Sequence, residues 1–264
     1  MQSHPPMSCL TRIESALVTT RPRFYAPGLD PSRAEVILSS DESHHLVRVL
    51  RLVAGDEIAV FDGYGREFEA RVARADRNGA SVTIGAPIAT APDPTVLTTL
   101  VQAVLKGDKM DGVVRDATMA GVAQIVPVVT ERSLVGRSVL KGAHERWQRI
   151  AVASAKQCGR ARLPAIEPPQ PLRVWLEAPF DGRRLLLAEP SSGDDHIQTL
   201  RAGLADPVPQ RVACIVGPEG GWSASERKAA TMAGCVLVSL GSMTLRADAV
   251  GLVAVSLVNF AFEA

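Results

Sequence analysis

Apolar and polar residues alternate with a period of two in the first third of this chain, and recur at helical spacing over most of the rest. Between Arg21 and Ile84 the runs Ala34–Leu38, Glu57–Phe61, Glu67–Arg74 and Ser81–Ile84 predict short β-strands. Turn residues separate them at Ala54-Gly55-Asp56, Asp62-Gly63-Tyr64-Gly65 and Arg77-Asn78-Gly79, the last carrying the Asn-Gly pair typical of tight hairpins. One helix is predicted from Asp41 to Arg51, with Ser40 or Asp41 as its cap. On it Arg48 and Arg51 are spaced to share a face opposite Leu46, Val49 and Leu50. Short strands with tight turns predict a small barrel.

Gly85 to Pro94 holds three prolines and reads as a linker. Beyond it strands and helices alternate. Strands are predicted at Thr95–Leu105, Gln124–Val129, Leu185–Ala188, Val212–Val216 and Val236–Leu240. Helices are predicted at Asp108–Ala120, His144–Cys158, Asp194–Arg201, Ser223–Ala233 and Ala247–Phe260. The fourth opens with a Ser223-x-x-Glu226 capping box and ends at Gly234; the first ends at Gly121. Such alternation implies a largely parallel sheet covered on both faces.

Two of these strands end in glycine. Val212–Val216 runs into Gly217-Pro218-Glu219-Gly220-Gly221, and Val236–Leu240 into Gly241. A glycine turn lets backbone N–H groups approach a ligand, because no Cβ intervenes. Two such strand ends side by side predict a binding crevice at the carboxyl edge of the sheet. One such turn could be punctuation only; two, each closing a buried strand, favour a site.

Composition narrows the class. The chain has 264 residues, 46% hydrophobic and 22% charged, ordinary for a soluble globular protein. No apolar run approaches the roughly 20 residues of a membrane span. Met1–Thr20 has no compact apolar core before a cleavage site and reads as a disordered extension rather than a signal peptide. Cys9, Cys158, Cys214 and Cys235 form no CxxC pair, so no metal site is expected, and they fit a reducing cytoplasm. The net charge is only +1, but Leu97–Arg173 carries 12 Lys and Arg against 6 Asp and Glu, whereas Val174 to the end carries 7 against 10. A basic middle third suits contacts to a polyanion. There is no GxxxxGK[ST], GxSxG or HExxH, and Lys106-Gly107-Asp108-Lys109 stands where a dinucleotide-binding GxGxxG would follow the first α/β strand.

The most specific string is Gly217-Pro218-Glu219-Gly220-Gly221-Trp222, which resembles the GPEGG motif of SPOUT-class RNA methyltransferases. The rest of the chain is similar to the RsmE-type family of that class, which methylates N3 of a uridine in 16S ribosomal RNA of the small subunit. The likeness runs in order through Pro22-Arg23-Phe24-Tyr25, Arg48-Val49-Leu50-Arg51, Arg146-Trp147 to Gln157-Cys158-Gly159-Arg160 with Arg162 and Pro164, and Leu240-Gly241 to Leu245-Arg246. It implies an N-terminal PUA-like β-barrel at residues 21–86, a linker at 87–95, and a SPOUT α/β trefoil-knot domain at 96–264. It also implies S-adenosylmethionine as cofactor, a homodimer, and no metal.

On that resemblance the cofactor would be held by Glu189, Gly217, Pro218, Glu219, Gly220, Gly221, Leu240, Gly241 and Leu245. Arg246 is the candidate for stabilising negative charge on the uridine, and Asp248 the candidate base or polar anchor. Here the chain departs from the family pattern: Leu245-Arg246-Ala247-Asp248-Ala249-Val250 stands for L-R-x-E-T-A, so the carboxylate is one methylene shorter. Ala117-Thr118-Met119-Ala120 likewise lacks a carboxylate that the family often carries. Arg23, Arg48, Arg51, Lys106, Lys109, Arg160 and Arg162 are the expected RNA contacts, since phosphate contacts dominate affinity. The competing readings are an RNA-binding module of the same architecture without catalysis, methylation of another RNA nucleotide, and a metabolic α/β enzyme with a nucleotide ligand, which the basic middle third disfavours.

Overall fold

The computed structural model describes residues 21–133, 140–190, 197–205 and 207–262; the extension expected before Arg21 lies outside the described residues. Residues 21–88 build a five-stranded sheet from β1 (Arg23–Tyr25), β2 (Val36–Ile37), β3 (Glu57–Phe61), β4 (Glu67–Asp76) and β5 (Gly79–Ile88), in the order β1-β3-β4-β5-β2. Phe24 from one edge strand and Val36 from the other share a core with Leu46, Ile58, Val60, Val72 and Val82, so the sheet wraps around its apolar face. The β4–β5 hairpin turns at Asn78-Gly79, with Gly79 at φ 137°. β5 then continues through Gly85 to Ile88, where the prolines had predicted linker. Pro87 fits because it lies near the strand end, opposite Phe68.

The predicted single helix from Asp41 to Arg51 is two pieces. Helix α1 (Ser40–His44) is capped by Ser39, whose side chain accepts from the Glu42 amide, rather than by Ser40 or Asp41. A π-helical turn, His45–Val49, follows. Arg51 has φ 55°, and among the described residues no other non-glycine has a positive φ. Arg48 and Arg51 are both exposed, but they do not share an α-helical face.

The second sheet is wholly parallel. Its strands are β6 (Leu97–Ala103), β7 (Gln124–Val129), β8 (Ala165–Ile166), β9 (Gln170–Pro171), β10 (Arg183–Leu187), β11 (Gln198–Thr199), β12 (Arg211–Val216) and β13 (Val236–Ser239). The order is β11-β13-β10-β12-β6-β7-β8, with β9 also on β7. Alternate residues feed separate cores, because strand side chains alternate between faces. Leu100, Ile125, Leu185 and Cys214 face α2 (Lys109–Met119), α3 (Ala143–Cys158) and α7 (Ala247–Phe262). Val101, Val126, Leu186 and Ala213 face α4 (Leu172–Glu177) and α6 (Ala224–Met232). Cys214 and Cys235 are buried and behave as hydrophobes; burial pushes their thiols up to about 12 and about 11.

The helix predicted over Asp194–Arg201 does not form as such. Residues 194–196 lie outside the described residues, β11 is extended, and a short helix α5 (Leu200–Gly203) starts only after Thr199, whose hydroxyl accepts from the Ala202 amide. The two glycine-ended strands are not side by side either: β10 lies between β12 and β13.

The two sheets are joined by a buried seam. Arg23 makes a two-pronged ion pair with Glu67 at 2.7 and 2.8 Å and also donates to the carbonyls of Ala155 and Arg160. Lys156 meets Glu42 at 2.8 Å. Phe61 packs with Ala155 and Ala161, and the Gly63 carbonyl accepts from the Leu163 amide at 2.9 Å.

Candidate active site

Parallel strands place all their carboxyl ends on one edge, and the loops after β10, β12 and β13 meet there around a cavity of about 490 Å³. β12 delivers Gly217 to Gly221. A Cβ on Gly217 would stand 3.0 Å from the Trp222 ring, and one on Gly220 would stand 3.2 Å from the Arg132 side chain. Gly221 has φ 67°. The turn therefore needs glycine for close packing at two positions and for conformation at the third. Trp222 is fixed over it by a 2.8 Å bond from its ring nitrogen to the Leu187 carbonyl. Arg132 donates to the Gly220 carbonyl at 2.9 Å. The capping box expected at Ser223 and Glu226 is present and starts α6 directly after the turn. Glu226 reaches further, accepting from the Glu131 amide, so one buried carboxylate ties two loops together.

The opposite wall is the loop from Leu240 into the first turn of α7. Arg246 donates to both carboxylate oxygens of Asp248 at 3.2 Å. Burial pushes the Asp248 carboxyl up, but the Arg246 hydrogen bond, the local backbone amide and the charges of Arg246 and Lys109 outweigh it and hold it below its ordinary value. Lys109, from the start of α2, meets Glu219 at 2.7 Å. Glu219 behaves like Asp248: burial raises its carboxyl, and bonding to Lys109 and backbone amides brings it below the usual value.

Of the residues predicted for the site, Glu189, Gly217, Pro218, Glu219, Gly220, Gly221, Leu240, Leu245, Arg246 and Asp248 line this one cavity. Gly241 does not; it follows Leu240 in the same loop with φ 138°. Two predicted RNA contacts are corrected. Arg23 is only 7% exposed and is held in the seam. Arg160 is largely buried and donates to the carbonyls of Thr118 and Val122, and burial pulls its guanidinium below its ordinary value. Both guanidiniums are committed to these internal partners. Arg162 pairs with Asp93 at the surface, while Arg48, Arg51 and Lys106 are exposed. Lys109 belongs to the cavity rather than to an outer basic face. Arg132 and Trp222 were missed as wall residues; Trp222 adjoins the glycine motif, whereas nothing in the sequence marks Arg132. Among the described residues no cluster of three or more His, Cys, Asp or Glu is arranged to hold a metal.

Residues 92–259 match the RNA methyltransferase domain family, and residues 38–85 the RNA methyltransferase PUA domain family. A ribosomal RNA small subunit methyltransferase E from Mycobacterium bovis is 30% identical, covering 89% of this chain and 90% of its own. Its namesake from Synechocystis is 31% identical, covering 87% and 74%. The chain belongs to the RsmE-type family of RNA methyltransferases. A solved member, the ribosomal RNA small subunit methyltransferase E from Neisseria gonorrhoeae bound to S-adenosyl methionine, superposes with a TM-score of 0.81 at 29% identity, covering 92% of this chain and 98% of its own. The PUA family match falls on the wrapped sheet, and the methyltransferase match spans the parallel sheet that carries the cavity.

Proposed function

We propose that this protein transfers the methyl group of S-adenosylmethionine to N3 of a specific uridine in 16S ribosomal RNA of the small subunit. Its class is plain from its family: an S-adenosylmethionine-dependent ribosomal RNA methyltransferase. The observation that carries the reading is the cavity, a glycine wall without room for a Cβ facing an arginine–aspartate pair. The donor set fits the cofactor. Gly217, Gly220 and Gly221 offer closely approachable backbone, Glu189 and Glu219 offer carboxylates for its cationic groups, and Leu240 and Leu245 offer apolar surface for its base. When bound, it supplies an electrophilic methyl group on a sulfonium.

The protein must orient the uridine and accommodate the loss of its N3 proton. Asp248, held ionised by Arg246, is a weak base; we assign it as the anchor that orients Arg246 toward the cavity. A shorter carboxylate serves there, because its partner is only two residues away.

We further propose the knot and the dimer. After β13 the chain returns past β10 to lay α7 over β6, where Gly251 comes within 3.1 Å, measured from its would-be Cβ, of Leu100. Such a return path supports a threaded α/β knot. The buried face of α7 is Gly251, Ala254, Val255 and Val258; its other face shows Leu252, Leu257 and a 78% exposed Phe260. A second copy would cover that face and bring the partner next to Arg246 and Asp248. Among the described residues no helix is long and apolar enough to cross a membrane; an enzyme of ribosomal RNA is proposed to act in the cytoplasm.

The test is mass mapping of modified uridines in small-subunit ribosomal RNA from cells with and without the protein, which should show one N3-methyluridine lost with it. Calorimetry with S-adenosylmethionine separates this from the non-catalytic reading, which expects no binding.

A further inference from the structure

Four cations line the cavity, and three of them, on the two walls described above, are placed differently. Arg132 holds the Gly220 carbonyl. Arg246 presents its guanidinium to both oxygens of Asp248, and its side chain is 76% exposed. Lys109 is 34% exposed, stands in the first turn of an 11-residue helix, and uses one of its three N–H donors on Glu219. Its charge also contributes to the field at Asp248, so it lies within electrostatic reach of the Arg246 wall while anchored to the glycine wall. A charge withdrawn from water acts more strongly than an exposed one, and the helix N-terminus adds positive potential of the same sign.

The chemistry asks for such a group. The uracil imide is largely protonated at neutral pH, and N3 becomes nucleophilic only as its proton leaves. The negative charge then resides mostly on the two flanking carbonyl oxygens. Building on the proposed uridine-N3 methylation, we propose that Lys109 is a catalytic residue: its ammonium donates to one of those oxygens and stabilises the imide anion. The N3 proton passes to solvent. The electron pair left on N3 forms the N–CH₃ bond while the S–CH₃ bond breaks, its pair staying on sulfur as the neutral thioether. Lys109 neither gains nor loses a proton overall. Its pairing with Glu219 keeps the ammonium inside the cavity before substrate arrives.

The assay uses small subunits reconstituted on a transcript carrying either uridine or 5-fluorouridine, whose imide is more acidic. Single-turnover methyl transfer is followed as a function of pH for the wild type, Lys109→Met and Lys109→Arg. We expect Lys109→Met to lower the rate about 100-fold at neutral pH, the scale of losing one preorganised anion donor. Its pH–rate profile should move up by about two units, the same 100-fold loss expressed as acidity of the bound imide, since the anion has lost a stabilising charge. The 5-fluorouridine transcript should restore much of the Lys109→Met rate while changing the wild type little, and Lys109→Arg should retain most activity. A loss confined to KM, with the rate constant and pH profile unchanged, would make Lys109 a phosphate contact and overturn the assignment. So would an absence of fluorouridine rescue in Lys109→Met protein that still binds S-adenosylmethionine by calorimetry. A wild-type enzyme inactive on the uridine substrate would instead overturn the function reading.

Discussion

The seam between the two sheets and the cavity at the sheet edge are both built from ion pairs of nearly the same length, yet they do different things. Arg23–Glu67 and Lys156–Glu42 are 2.7 and 2.8 Å long, against 2.7 Å for Lys109–Glu219 and 3.2 Å for Arg246–Asp248. Burial separates them. The Arg23 and Glu67 side chains are 7% and 5% exposed, and each is surrounded by fixed partners. The cavity pairs are a third exposed or more on at least one side and face open volume. A buried pair locks two bodies into one geometry, because breaking it strands a charge without water. A half-exposed pair holds its charges in place with little commitment, leaving them available to a ligand. The seam thereby sets a fixed position of the wrapped sheet relative to the cavity.

That contrast can be broken most severely at Glu67. Glu67→Ala should leave Arg23 buried without its counter-charge and destabilise the fold by about 3–5 kcal/mol in urea titrations. A loss below about 1 kcal/mol would show that the seam behaves like a surface contact. Asp62, beside the seam and 1% exposed, should come next. It accepts from the amides of Tyr64 and Arg66 and from the Arg66 side chain at 2.7 Å. Asp62→Asn should cost about 2 kcal/mol at neutral pH. Burial raises its carboxyl, but these bonds hold it below the ordinary value. Its contribution is thus complete above the unfolded pKa of about 3.9 and is lost as pH falls through the lower folded value. The gap between wild type and variant should be flat near neutrality and close below about pH 4.

At the cavity, Gly217→Ala should press a methyl group against Trp222 and weaken S-adenosylmethionine binding about tenfold by calorimetry, or about 1.4 kcal/mol. Unaltered affinity would mean that the ring yields without disturbing the turn. Arg246→Ala should have the smallest effect on stability, under about 1 kcal/mol, since its pair is exposed. Its effect on methyl transfer should far exceed that on cofactor affinity; equal losses would make it a loop anchor. The exposed Arg48 and Arg51 extend the comparison: replacing both with alanine should weaken RNA binding and flatten its salt dependence without touching cofactor affinity.

Arginine shows where sequence reading stopped. Arg23, Arg48, Arg51, Arg160 and Arg162 all lie in motifs shared with the family, and their residue type suggests phosphate in every case. The fold places Arg23 and Arg160 inside, donating to backbone carbonyls, and leaves Arg48 and Arg51 outside. Nothing local distinguishes them, because their environment comes from segments more than 30 residues away. The same holds for Lys109, whose partner is 110 positions distant. Elements read from local signals fared better. Gln124–Val129 and Glu57–Phe61 form as strands over the expected residues, and the Ser223–Glu226 box caps its helix. Where several local signals competed, as in the helix ending in the π turn at His45–Val49 and the proline-bearing end of β5, tertiary packing chose.

By itself the sequence determined the alternation of strands and helices and the glycine turn after Val216, since periodicity, capping and Cβ sterics act over a few residues; the candidate chemistry near Leu245–Asp248 came from the resemblance to the family. Only the tertiary structure decided that β10 separates the two glycine-ended strands and brings Glu189 between them. It also decided that Lys109 faces the cavity while Arg23 locks the seam. Strand order and charge burial both depend on contacts between distant segments, and those form only when the whole chain packs.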